Sequence, residues 1–288
     1  MQILSAVEDV RQQVTHWKGQ EESIAFVPTM GDLHAGHLAL ITEARKFQRV
    51  VVSIFVNPLQ FGEGEDYQNY PRSDRADREK LAACKVDLLY CPTVEALYPD
   101  GTHNCTHIEI PVLGNQLCGK SRPGHFSGVA TVVCKLLNII QPDVAIFGEK
   151  DYQQLLVIRK LVADLNIPVK IEGVPTVREK DGLAMSSRNR YLSEEERKLA
   201  PRLYRILFDL AETLSQSSGG IAAMKPCITE AAGLLTSNGF AVDYLEVRRE
   251  QDLGMPQPED RYLRLFVAAW LGKARLIDNL PILRQNVA

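Results

Sequence analysis

At 288 residues, 45% hydrophobic and 24% charged, the chain is long enough for one large or two unequal globular domains without disulfide or metal staples. A net charge of −3 leaves no electrostatic footprint for nucleic acid, and no apolar run reaches the ~20 residues of a membrane-spanning helix. Six cysteines without C-x-x-C or metal-finger spacing, and an N-terminal stretch with charges among its apolar positions, predict a cytoplasmic protein with reduced thiols.

The elements then follow in chain order. "SIAFVPT" (23–29) reads as a strand, and a glycine-containing loop leads into "HLALITEARKF", which has helical periodicity. "VVVSIFVNP" (50–58) is a strand buried on both faces and ended by Asn57-Pro58. Ser73 is placed to cap a helix over "DRADREKLAACK", before a strand in "VDLLYCP" (86–92). "SGVATVVCKLLNII" (127–140) predicts a helix closed by Pro142, and "VAIFG" (144–148) a buried strand. A helix over "DYQQLLVIRKLVADLN" and a strand in "VKIEGVP" complete the series. Repeated βα units of this kind predict an α/β, Rossmann-like, doubly wound, mostly parallel sheet over 1–175. From 176 to 288 a smaller α+β domain is expected. It opens with Ser193 and Glu196 in capping-box spacing at the head of one amphipathic helix (193–214), followed by a short connector (215–220). A hairpin turning near Leu271-Gly272-Lys273 ends it.

Four stretches carry candidate chemistry. "PTMGDLHAGHLALI" sets His34 and His37 at the mouth of a helix beyond the first strand's carboxyl end, where ligands bind in such sheets. The helix N-terminus favours a phosphate, and both imidazoles can donate to its oxygens. A metal pair or ordinary packing are the alternative readings of the same spacing. Met185-Ser186-Ser187-Arg188-Asn189 gathers hydroxyls and a guanidinium suited to a triphosphate, or forms a solvated turn. In "FGEKDYQQ", Lys150 can neutralise a phosphoryl group, while Gln153 and Gln154 can bind a polar substrate. The alternative is a surface turn with Asp151 as helix cap. In "FVNPLQFGEGEDYQNYPRSDRADRE", Asn57 and Gln60 flank Pro58 towards the same crevice, and Asp66, Asp74 and Asp77 are carboxylates of metal-ligand type on what otherwise reads as a solvated face.

A His-x-Gly-His element followed far downstream by Ser-Ser-Arg resembles the HIGH and KMSKS pair of the adenylate-forming nucleotidylyltransferase superfamily. With "FVNPLQF", "RPGHFSGVATVVCKL" and "FGEKDYQQ" in order, the chain resembles the pantothenate synthetase (pantoate–β-alanine ligase) family within it. The resemblance implies ATP-dependent condensation of (R)-pantoate with β-alanine through an enzyme-bound pantoyl adenylate, giving pantothenate, AMP and pyrophosphate. It implies an ATP site from Met30, Gly31, Asp32, Leu33, His34, Ala35, Gly36 and His37, joined by Gly148, Glu149, Lys150, Asp151, Val177, Met185, Ser186, Ser187 and Arg188. His37, His34, Lys150 and Arg188 are the expected catalytic groups. Gln60 and Gln154, with Asn57, are expected on pantoate and β-alanine. Mg²⁺ is expected with ATP. Asp77 is its one protein candidate, preceded by Arg75 and Ala76 where the family often pairs acidic residues, so the phosphates are its main ligands. A homodimer, and a 176–288 domain acting as a lid, are implied in the same way. A related nucleotidylyltransferase and a non-catalytic nucleotide-binding protein are the alternatives. No residue stands out as the base that deprotonates β-alanine.

Overall fold

Six strand-forming runs pair side by side, and the segments between them supply the crossovers. In the computed structural model, which describes residues 1–217 and 220–285, the strands are β1 (Gln2–Leu4), β2 (Ile24–Thr29), β3 (Arg49–Ile54), β4 (Leu88–Tyr90), β5 (Val144–Gly148) and β6 (Lys170–Val174). They form one all-parallel sheet in the order β1-β4-β3-β2-β5-β6. The crossovers hold α1 (Val7–Gly19), α2 (Ala35–Ala44), α3 (Asp74–Ala83), the single-turn helices α4 (Val94–Leu97), α5 (Pro111–Gly114) and α6 (Cys118–Ser121), then α7 (His125–Ile140) and α8 (Tyr152–Asp164). Both faces of the central strands are buried, so β2 and β3 read as continuous apolar runs rather than alternating ones. Ala25, Val27, Val50, Val52 and Ile146 form one core with Leu33, Leu40 and Ile41.

The winding reverses at β2. The chain leaves it outward through β3 and β4, then returns with α7 to place β5 on its other side. Ligands in doubly wound sheets bind outside the carboxyl ends at such a point. A local feature opens the crevice there. Ile24 O accepts from the Asp143 amide and Thr29 O from the Phe55 amide, so even-numbered residues of β2 face β5. Pro28 therefore lacks its N–H on the β5 side, and pairing with β5 stops at Phe26.

The chain divides into two compact units, Met1–Glu149 with Gln153–Pro175, and Lys150–Tyr152 with Thr176–Ala288. The boundary expected at 175/176 leaves Lys150–Tyr152 in the first unit, and the structure places these three residues in the second. The Lys150 carbonyl and the Tyr152 ring pack on the second unit's sheet.

The second unit holds α9 (Glu194–Leu199), α10 (Pro201–Gln216) and α11 (Met224–Ser237). Its antiparallel sheet is β7 (Ala241–Arg249), β8 (Tyr262–Leu271) and β9 (Ala274–Leu283). Ser193 and Glu196 form their reciprocal capping box. The single helix expected over 193–214 is two helices, because Pro201 lacks the N–H to continue the first and starts the second at N1. The hairpin turns at Gly272, whose φ of 55° would strain a side-chain-bearing residue. Residues 218 and 219 of the expected connector lie outside the described residues. Leu203, Leu207, Leu210 and Leu214 of α10 pack on Leu263, Leu265 and Val267 of β8. Among the described residues no helix is long and apolar enough to cross a membrane.

Candidate active site

The loop after β2 is built around one buried carboxylate. Thr29 donates its hydroxyl to Ser53 O at 2.8 Å and accepts the Gly31 amide at 3.2 Å, so the chain bends as the strand ends. Gly31 and Asp32 follow with φ of 84° and 49°. The amides of Asp32 and Leu33 then donate to the two oxygens of Asp77, at 2.7 and 2.9 Å. Asp77 is 1% exposed. Lys80 donates to Leu33 O at 2.5 Å, and the Ser73 hydroxyl donates to Asp32 at 2.8 Å. One expectation is corrected here. Ser73 stands at the N-cap of α3, but its hydroxyl is turned to Asp32 and makes no cap bond. Asp77 holds the loop as a clasp, each of its oxygens accepting one backbone amide. Among the described residues no three His, Cys, Asp or Glu side chains are grouped to hold a metal ion.

His34 and His37 form a capping box at the head of α2. His34 Nδ1 accepts the Gly36 amide at 3.1 Å, and His37 Nδ1 accepts the His34 amide at 3.3 Å. The rings lie 4.1 Å apart at 34°. A neutral imidazole whose Nδ1 is an acceptor carries its proton on Nε2, so this pattern assigns the Nε2–H tautomer to both rings. Spacing along the chain allows phosphate donors, metal ligands or packing. The caps hold both rings as oriented Nε2–H donors beside the amides and partial positive charge of the helix start.

Beyond β3, Asn57 is 1% exposed and fully used within the protein. Its oxygen accepts the Tyr98 hydroxyl at 2.8 Å and the Leu59 amide at 3.3 Å, while its amide donates to Gly128 O and Gln60 Oε1. Burial pushes the Tyr98 phenol upward, which keeps it a donor. Asn57 thus supports the Pro58–Gln60 turn rather than facing a ligand. Gln60 donates to Met30 Sδ at 2.7 Å, joining this turn to the His34 loop. The Gln60 carbonyl contacts His125 Nδ1 at 2.7 Å and accepts from Arg122 at 3.3 Å. Arg122 is bidentate on Glu65 at 2.7 and 2.6 Å. Burial pushes the Glu65 carboxyl up, but the Arg122 hydrogen bonds and charge outweigh it and hold it below the usual carboxylate range. Arg122 has no role assigned to it from the sequence, although the Arg-Pro-Gly-His run that holds it is one of the family's stretches.

Gly128 lets α7 lie against that turn. A Cβ at this position would fall 2.1 Å from Leu59 O and 2.7 Å from Gln60 N. Gly128→Ala is therefore expected to lower unfolding stability by about 2 kcal/mol, because a main chain cannot swing aside as a flexible side chain does. Denaturant unfolding checks this, and an unchanged midpoint would show that the turn yields without cost.

At the end of β5, Gly148 and Glu149 are half-buried. Gln153 does not face a ligand. It accepts from the Cys118 amide and donates to Leu113 O and Gln116 O. Gln154 is half-buried on the first turn of α8.

The second unit holds the other set. The Met185 amide donates to Val177 O at 3.0 Å, and Arg178 bridges Ala184, so 177–185 is a small hairpin turning at Gly182. It delivers Ser186, whose hydroxyl accepts the Arg188 amide, then buried Ser187 and half-buried Arg188. A small cleft in this unit is lined by Lys150, Ser186, Asn189, Tyr204 and Asp278, among others. The expected residues thus assemble as two sets. Met30–His37, Gln60, Gly148, Glu149 and Gln154 belong to the first unit, and Lys150, Asp151, Val177 and Met185–Arg188 to the second.

Residues 2–281 match the model of a family described as pantoate-beta-alanine ligase. A pantothenate synthetase of Methylococcus capsulatus is 53% identical over 98% of both chains, and one of Pseudomonas fluorescens is likewise 53% identical over 98% of both. Among solved structures, pantothenate synthetase from Thermus thermophilus superposes with a TM-score of 0.87 at 47% identity, covering 97% of this chain and 99% of that one. Pantoate-beta-alanine ligase from Francisella tularensis, complexed with beta-gamma ATP and beta-alanine, gives 0.82 at 39% identity over 97% of each. Matched over nearly its whole length by the family model, by close relatives and by solved structures, the chain belongs to the pantoate–β-alanine ligase family.

Proposed function

We infer that the chain joins (R)-pantoate to β-alanine in two ATP-dependent steps. In the first, a pantoate carboxylate oxygen attacks the α-phosphorus of ATP, the bond to the bridging β-phosphate oxygen breaks, and pyrophosphate leaves. In the second, the β-alanine amine attacks the acyl carbon of the pantoyl adenylate. AMP departs with the acyl–oxygen electron pair, the amine loses a proton, and pantothenate forms. The observation that carries this reading is the pair of capped histidines at the switch point. Two fixed Nε2–H donors at a helix mouth suit phosphate oxygens whose charge grows as phosphorus becomes five-coordinate. No protein nucleophile is needed, because the pantoate carboxylate is already anionic.

The roles are those the resemblance implies, and the geometry within each set supports them. His37 and His34 donate to the phosphates from the Met30–His37 loop, with Gly31, Asp32, Leu33, Ala35 and Gly36 as its backbone. Gly148, Glu149, Asp151, Val177 and Met185 add nucleotide contacts, and Lys150, Ser186, Ser187 and Arg188 supply cationic and hydroxyl donors to phosphate. Gln60 and Gln154 hold pantoate, with Asn57 acting behind Gln60. Mg²⁺ enters on the ATP phosphates as part of the substrate. The proposal includes a cytoplasmic homodimer, as the resemblance implies. The test is ATP–pyrophosphate exchange with pantoate supplied or omitted. Exchange is expected only with pantoate, and exchange of equal rate without it would overturn the reading.

A further inference from the structure

We propose that Asp278 and Asn279, consecutive residues of β9, are positioning residues that fix Lys150 and the Ser186–Arg188 loop relative to each other. The proposal rests on the reading of Lys150 as a phosphate ligand. Neighbouring residues of a strand point to opposite faces of the sheet, so this pair can hold one element on each side.

On one face, Asn279 donates its side-chain amide to the carbonyl of Lys150 at 2.9 Å. Asn279 is 4% exposed, and its own oxygen accepts from Arg264 at 2.6 Å. Arg264, 6% exposed, is paired with Glu250 at 2.6 Å and lies 3.7 Å over the ring of Tyr152. Tyr152 in turn meets Phe266, the cross-strand partner of Asn279. Both ends of the Lys150–Tyr152 segment are thus seated on β8 and β9. This is the physical reason these three residues belong to the second unit.

On the other face, Asp278 is a carboxylate among the apolar residues of the unit's core and is 3% exposed. It accepts from both terminal guanidinium nitrogens of Arg178, at 2.6 and 2.9 Å. Arg178 also donates to Gly182 O at 3.2 Å and stacks 3.9 Å over Tyr204. It therefore grips both the base and the turn of the hairpin that delivers Ser186, Ser187 and Arg188. The Asp278 carboxylate also accepts the Asn279 amide at 2.8 Å, which ties the two grips together. A buried Arg–Asp pair contributes little net stability over an apolar one, so its use here is the fixed bidentate geometry.

The experiment follows pantoate-dependent exchange and thermal unfolding in Asn279→Asp, Lys150→Ala, the double variant and Asp278→Asn. Asn279→Asp keeps the shape and the bond from Arg264 but loses the donor to Lys150. It is expected to lower maximal exchange about tenfold, with the KM for pantoate unchanged. In the Lys150→Ala background the same change is expected to have no further effect, the non-additivity of residues acting through one group. Equal losses in both backgrounds would make Asn279 merely structural and overturn the proposal. Asp278→Asn is expected to raise the KM for ATP several-fold without moving that for pantoate, and equal rises in both would overturn its half. Full exchange in Lys150→Ala alone would instead refute the phosphate reading of Lys150, an outcome separable from the others.

Discussion

Lys150→Ala is expected to cut pantoate-dependent ATP–pyrophosphate exchange about 10²–10³-fold while moving the thermal midpoint by no more than about 3 °C. The asymmetry comes from what the side chain does in the folded protein. Its ammonium lies 3.6 Å from the Asp151 carboxylate, which is 47% exposed. Ion pairs of this kind contribute at most about 1 kcal/mol. The segment's position depends on the carbonyl of Lys150, which Asn279 holds, and on Tyr152, which Arg264 covers. Truncating the side chain leaves both intact. In the proposed role, what disappears is a positive charge that interacts more strongly with the departing pyrophosphate than with ground-state ATP, and such interactions raise the rate rather than the affinity. Kinetics and calorimetry on one preparation check this. A midpoint falling in proportion to activity would identify a structural lysine.

Much of this arrangement is legible along the chain, and the illegible parts share a cause. The central strands carry the uninterrupted apolar runs that burial on both faces demands, so "SIAFVPT", "VVVSIFVNP" and "VAIFG" announce themselves. β1 does not, because three residues at a sheet edge are too few for a periodic signal and owe their state to pairing with β4. The break at Pro201 has a sequence signal, but amphipathic periodicity continues across it and hides the stop. His34 and His37 are visible as a pair. Their tautomer is not, because it depends on which nitrogen meets a backbone amide. Asp278 and Asn279 carry no motif at all. Their partners are 100 and 129 positions away, and only the fold brings them together. Asp77 is the instructive case. In sequence it looks like a metal carboxylate, and only the fold reveals the two backbone amides aimed at it.

Asp77→Ala is expected to lower stability by about 3 kcal/mol and to abolish measurable adenylate formation. Removing the carboxylate leaves the Asp32 and Leu33 amides buried without acceptors, at about 1–3 kcal/mol each before relaxation. It also releases the loop from the conformation those bonds enforce. Asp32 is held at φ 49°, a left-handed region that costs a non-glycine residue on the order of 1 kcal/mol. Once unclasped, the backbone regains freedom one residue before His34, whose own amide forms half of the histidine capping box. Stability and activity therefore fall through the same bonds. Asp77→Asn separates the readings further. Its amide oxygen can still accept one backbone N–H, while its NH₂ opposes the other, so a loss of about half the size is expected. A metal ligand would behave differently, because its loss weakens affinity for the ion and excess Mg²⁺ restores the rate. Titrating exchange against Mg²⁺ in both variants decides the point. Recovery at high Mg²⁺ would return Asp77 to the metal, and a loss that no concentration of Mg²⁺ repairs confirms the clasp.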